Sequence, residues 1–289
     1  MFVRTISHNI IKFFFVSFGI ILLSAFIGLF LGGTHVSFKQ YISNVVNIII
    51  SLAKPAELTI SNLPDRTYPM FPAFWDAYFY SIIIFISALF VSVIMGLLFA
   101  YCTYLLPSKV SKIMMRCFSL IESVPDLFVL IVIQYSLIAF YKRTGIMIFP
   151  VIGLNDHVYA APIIVLSILP SILLFRIFFL LIQEEKDKMY VDLVRSKGLS
   201  KHYIFFIHIL RNVPFSLVNH FKSVILFMLS SLIVFERLFN IYGITHFMLV
   251  FTDMYVISFS LIMFYLPVFI LLTLFSLLTE RNTGERVVV

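Results

Sequence analysis

Charge is scarce in this chain. Only 12% of its 289 residues are Asp, Glu, Lys or Arg, while 61% are hydrophobic and 17% aromatic. A soluble domain carries about 25% charged residues, so this many apolar side chains cannot hide in a water-soluble core. Disorder is excluded too, because it needs low hydrophobicity and high net charge. Cysteine is nearly missing: Cys102 and Cys117 are alone, and no Cys/His spacing reads as a zinc site. Glycine is sparse at ten residues, and no phosphate-cradling glycine-rich loop occurs. Neither His-Glu-x-x-His nor Gly-x-Ser-x-Gly is found, so zincin and serine-hydrolase chemistry have no motif to rest on. What is abundant is long apolar runs, with a mean hydropathy of +1.06. The class is a polytopic membrane protein.

A bilayer-crossing helix needs about 20 mostly apolar residues. Six runs qualify: Phe13–Leu31, Ala77–Tyr101, Met115–Phe140, Pro162–Ile182, Val213–Phe235 and Tyr255–Leu278. The first has a basic start but exceeds the apolar length of a signal peptide, so a retained helix is expected. Pro125, Pro170 and Pro267 read as tolerated kinks. Between the first two runs lies a polar segment with Pro55, Pro64, Pro69 and Pro72. Within it Val45–Leu52 is apolar but too short to span, which suits a surface helix. The expected organisation is residues 1–33 as an N-terminal segment with the first span, 34–76 as an extracellular loop, and 77–289 as a five-helix core carrying a cytoplasmic loop at 183–212. The fold class is all-α.

The net charge of +7 is explained by its placement. With the N-terminus inside, the inner segments hold Arg4, Lys12, Lys109, Lys112, Arg116, Lys186, Lys188, Arg195, Lys197, Lys201, Arg211, Arg281 and Arg286. The outer ones hold Lys39, Lys54, Arg66, Lys142, Arg143 and Arg237. That asymmetry places both termini in the cytoplasm. Cys102 and Cys117 then fall near the cytoplasmic face, where a structural disulfide is not expected. A compact basic domain is missing, so nucleic-acid binding is not expected. Arg176 and Lys222 lie inside spans and can snorkel to the inner side. Glu122 and Asp126 flank Pro125; they either pair with Lys112 or Arg116 at the interface or line a polar pathway.

The segment after Gln183 differs from its surroundings. Nine charges lie between Glu184 and Lys201. Tyr190, Leu193, Val194 and Lys197 fall at i, i+3, i+4 and i+7, so three apolar positions make a short helical stripe. Gly198 stands where a residue of positive φ would end that helix. Ser200 can cap the helix beginning at Lys201. The loop is a short amphipathic helix turned sharply back. It either lies on lipid or docks into a partner's groove.

The stretch YVDLVRSKGLSKHYIFFIHILRN resembles the "EAA" loop of ABC importer permeases. Counting back from Gly198 places Asp192, Leu193 and Val194 on the E-A-A positions, where only the acidic character is kept. The oligopeptide/dipeptide/nickel version is closer: Tyr190, Val191, Arg195, Lys197, Gly198, Leu199 and Ser200 match it, and His208, Leu210, Arg211 and Asn212 follow at the expected distance. VFERLFNIYGI resembles the subclass pattern after the fifth span through Glu236, Phe239 and Gly243. Two patterns depart: Gly32-Gly33-Thr34-His35 replaces a Pro-Gly-Asp-Pro-like stretch, and Ile241-Tyr242-Gly243 replaces Trp-Pro-Gly.

The resemblance implies a type I ABC importer permease in a bacterial inner membrane, surrounded by lipid. Its partners would be a second homologous permease, two cytoplasmic ABC ATPases and an extracellular binding protein. No cofactor is expected in this chain; ATP and Mg would sit in the ATPases, so the chain itself is no enzyme. The coupling residues implied are Tyr190, Asp192, Leu193, Val194, Arg195, Lys197, Gly198 and Leu199. His208, Arg211 and Asn212 would anchor loop to helix, and Glu236 and Gly243 would form an outer gate or binding-protein contact. Peptides, nickel or metal chelates are the implied cargo. A stand-alone channel or carrier, or a membrane scaffold that recruits a cytoplasmic protein, are the alternatives.

Overall fold

The computed structural model describes residues 2–26, 37–63, 66–146 and 158–283. The chain order is α1 (Phe2–Ala25), α2 (Phe38–Ala53), β1 (Thr59–Leu63), β2 (Arg66–Pro69), α3 (Ala73–Leu105), α4 (Ser108–Glu122), α5 (Asp126–Thr144), α6 (Ala160–Lys186), α7 (Met189–Ser196), α8 (Lys201–Tyr203), a π-helical stretch Ile204–Ile209, α9 (Val213–Leu238), α10 (Ile244–Val250) and α11 (Met254–Thr283). It forms two compact units, Met1–Ile82 with Tyr242–Leu277, and Ile83–Ile241 with Leu278–Val289.

Among the described residues, five helices are long and apolar enough to cross a membrane: Ser7–Ala25, Ala73–Leu105, Asp126–Thr144, Ala160–Lys186 and Met254–Leu277. The run expected as the fifth span lies within α9, a continuous helix, several of whose side chains fall outside the described residues. Gly32–His35 also lies outside them.

One expectation needs correction. The run Met115–Phe140 is not one kinked helix. Pro125 has no N–H to offer, and the residue before a proline is pushed out of the α region. The chain therefore ends α4 at Glu122 and restarts at Asp126, with Pro125 as the cap residue of α5. The all-α architecture also holds a small antiparallel hairpin, β1–β2, pairing Thr59 with Pro69 and Ile60 with Tyr68. It sits in the polar segment between α2 and α3. The short apolar stretch Val45–Leu52 is part of a 16-residue amphipathic helix, α2, whose N-cap Ser37 accepts a bond from Gln40 N.

In the first unit, Tyr41 of α2 donates its hydroxyl to Leu22 O of α1 at 3.1 Å. Phe13 of α1 stacks on Tyr265 of α11, centroids 5.5 Å apart. Phe74 sits against Phe247 and Phe259, and Ser81 Oγ accepts from Ile244 N at 2.7 Å.

In the second unit α6 is central, packing on α4, α5 and α9. Just over half of its apolar window is buried, 56%, against 6% for α5. So α6 is the core strut, and α5 turns nearly all its surface to whatever surrounds the chain. On α3, Ala88, Ser92, Gly96 and Ala100 repeat every four residues, and all but Gly96 are at most 1% exposed. Small residues at this spacing let two helix backbones approach closely. Ser92 Oγ donates to Ser167 O of α6 at 3.1 Å. A Cβ on Gly96 would meet Leu174 Cβ at 2.8 Å and Phe175 N at 3.0 Å. Ser171 Oγ donates to the same Ser167 carbonyl at 2.6 Å, close to Pro170, which interrupts the helix ladder.

Candidate functional site

The charged loop is built where the sequence places it. α7 runs Met189–Ser196, Lys197 is its C-cap, and Gly198 follows at φ +77°. Gly198 N donates to Arg195 O at 2.9 Å. A side chain at 198 would meet nothing within 4 Å, so the backbone angle is the only constraint that selects glycine. Ser200 Oγ accepts from Tyr203 N at 3.3 Å, as expected of a cap.

The buried face of α7 is one step away from the expected stripe. Val191 is fully buried and Val194 is 8% exposed, whereas Leu193 is 58% and Met189 91% exposed. The reason is a polar anchor that turns the helix. Glu185, at the end of α6, is 6% exposed. Its Oε1 accepts from Tyr190 Oη at 2.5 Å and from Asn212 Nδ2 at 2.6 Å, and Lys188 Nζ reaches Oε2 at 2.5 Å. Asn212 Nδ2 also donates to Tyr190 Oη at 3.0 Å. One carboxylate thus ties together the end of α6, the start of α7 and the base of α9. Burial and the adjacent Glu185 carboxylate push the Tyr190 phenol up to about 12, which keeps it a neutral donor at ordinary pH.

Of the other singled-out residues, Arg195 pairs with Asp192 at 2.9 Å on the same helix. Lys197 is exposed and Leu199 is 41% exposed. His208 takes part through its carbonyl, which accepts from Tyr190 Oη at 3.3 Å; its ring lies 5.8 Å from that of Tyr203. Arg211 is exposed and Asn212 is the anchor. The stretch Ile204–Ile209, which contains His208, winds as a π-helix, closed by Leu210 N to Phe205 O at 2.8 Å. Such turns are rare and recur at functional sites. A second tie holds the loop to α3: Tyr101 Oη bonds His202 Nδ1, and the Tyr101 ring packs on Phe205.

Glu236 is 1% exposed near the end of α9, and its neighbour Arg237 is exposed. Gly243 is buried and caps α10 with extended backbone.

Glu122, the last residue of α4, pairs with Arg176 of α6 at 2.8 Å, not with Lys112 or Arg116. Asp126 accepts from Ser231 Oγ at 3.0 Å. The helix break lines a cavity of about 500 Å³ whose other walls are Leu169, Ile172, Leu173 and Phe227. Among the described residues, no group of three His, Cys, Asp or Glu side chains is placed to hold a metal.

Residues 92–280 match the family described as binding-protein-dependent transport system inner membrane component. The chain belongs to this family. It is a multi-pass permease subunit of an ABC importer, which works with ATPase and binding-protein partners. The match begins at Ser92, on the small-residue face of α3, and covers the permease's charged loop. No curated protein matches the chain.

Two features of the permease escaped sequence reasoning. Glu185 stands beside Glu184 with nothing in the local pattern to separate them; the convergence of Lys188, Tyr190 and the distant Asn212 on its carboxylate does so. The four-residue repeat Ala88, Ser92, Gly96, Ala100 was a readable signal for close helix packing.

Proposed function

We propose that the chain is one of two homologous permease halves of an oligopeptide/dipeptide/nickel-type importer in a bacterial inner membrane. On this reading α9 supplies the sixth span, and both termini are cytoplasmic. α7 is the coupling helix that enters a cleft on one of two cytoplasmic ATPases, which hold ATP and Mg. An external binding protein delivers a peptide or a nickel or metal chelate. ATPase closure pushes α7, and the Glu185 anchor passes the push to α6 and α9 as a rigid-body rocking. Arg195 and Lys197 flank the docking face and orient it. His208, Arg211 and Asn212 anchor the loop, the cavity beside Glu122 and Asp126 lines the path, and Glu236 and Gly243 belong to an outer gate. No chemistry is carried out in this chain.

One observation carries the reading. α7 has a dry, polar-anchored inner face and presents Met189, Asp192 and Leu193 outward, which suits insertion into a partner. The test is co-purification with the ATPase and its stimulation by candidate peptides or chelates. Leu193→Asp changes an exposed position, so thermal stability should hold while the ATPase is lost. Retention of a fully coupled ATPase by that variant would sink the reading.

A further inference from the structure

α4 joins two helices that are each long and apolar enough to cross a membrane, α3 and α5. The links are short: Leu106 and Pro107 on one side, Ser123 to Pro125 on the other. A helix of 15 residues tethered in this way stays at the membrane surface. Its inner side is fixed by Phe118, which packs on Phe175 at 4.6 Å and on Phe99 at 5.4 Å.

The outer side has two parts. Lys109, Lys112 and Arg116 are exposed and fall within an arc of about 60° at about 100° per residue. Beside that arc stand Ile113, 58% exposed, and Leu120, 69% exposed. The carboxylate nearest in sequence, Glu122, is taken by Arg176, and Asp126 by Ser231. Among the described residues the three cations have no ionic partner.

We infer that α4 is a docking surface for anionic phospholipid headgroups. The cations sit at phosphate level, and Ile113 and Leu120 dip into the acyl boundary, the division of an interfacial helix. Two facts select lipid over a soluble protein: the helix is joined at both ends by short links to helices long and apolar enough to cross a membrane, and its unpaired charge is of one sign, complementary to acidic headgroups. The inference does not depend on the importer's cargo or on α7.

The test reconstitutes the full chain in phosphatidylcholine vesicles with and without phosphatidylglycerol, re-extracts it, and quantifies retained lipid by mass spectrometry. The wild type should retain phosphatidylglycerol preferentially, less so at high salt. Lys109→Gln, Lys112→Gln and Arg116→Gln together should lose that preference, by about fivefold per cation. Lys142→Gln with Arg143→Gln, at the far end of α5, should leave it unchanged, and Lys109→Arg with Lys112→Arg should preserve it. A spin label on Cys117, in a Cys102→Ser background, should be more accessible to oxygen than to a water-soluble nickel reagent. No preference in the wild type, equal retention by the triple variant, or a water-exposed label would overturn the proposal. So would a triple variant that keeps the lipid but sheds a co-purified protein, which would make α4 a protein contact.

Discussion

Tyr190 shows how much one side chain settles in this loop. Its hydroxyl bonds Glu185, receives a bond from Asn212, and reaches the His208 carbonyl. The phenol is pushed up to about 12 by burial first and then by the Glu185 carboxylate. Because the folded pKa lies above the unfolded value of about 10, the stabilisation is complete below about pH 10 and is lost as pH rises toward 12. Phenolate absorbance, read as wild type minus Tyr190→Phe, should show one late-titrating tyrosine; titration of that difference near 10 would contradict the anchor. Gly198 is the second decisive residue. Gly198→Val should cost about 1–2 kcal/mol of backbone strain and no packing, since nothing lies within 4 Å. Membrane insertion should survive, while ATP hydrolysis in proteoliposomes runs without transport; normal transport would refute the role. Tyr190 and Gly198 were legible in the sequence through their motif. Glu185 was not, because an anchor is defined by what converges on it, and Asn212 is distant in sequence.

At the scale of elements, the contact of α3 with α6 rests on absent side chains. Gly96→Ala would drive a methyl to 2.8 Å from Leu174 Cβ and 3.0 Å from a backbone nitrogen. It should destabilise the unit by about 1–3 kcal/mol, visible as a lower melting midpoint in detergent. Gly19→Ala in α1 meets nothing and should hold or raise the midpoint, by up to about 1 kcal/mol of helix propensity. An equal response at both sites would remove the packing argument. The apolar run Met115–Phe140 was legible as membrane-associated, but not as two helices. Hydropathy measures composition alone, and the break depends on the missing N–H of Pro125.

At the scale of the whole molecule, sidedness is the property that a charge count predicts and an isolated fold does not display. Cys102 on α3 and Cys117 within α4 are free and exposed, so both are first replaced by serine. A membrane-impermeant thiol reagent should label a Lys197→Cys variant, exposed on the charged loop, in inverted vesicles and spare it in right-side-out ones. Labelling from the outer side would reverse the assigned topology and move α7 away from any cytoplasmic ATPase.

The amino-acid sequence by itself determined the class of this protein, the position of most membrane helices, and the helix–glycine–cap design of the loop at Gly198. Those properties follow from composition and from local backbone chemistry, which neighbours in sequence suffice to define. Only the tertiary structure decided which face of α7 is buried, that Glu185 holds it, that Glu122 belongs to Arg176, and that the cations of α4 are left to the outside. Each of these is a choice among competing partners of the same chemical type, and distance in space settles it.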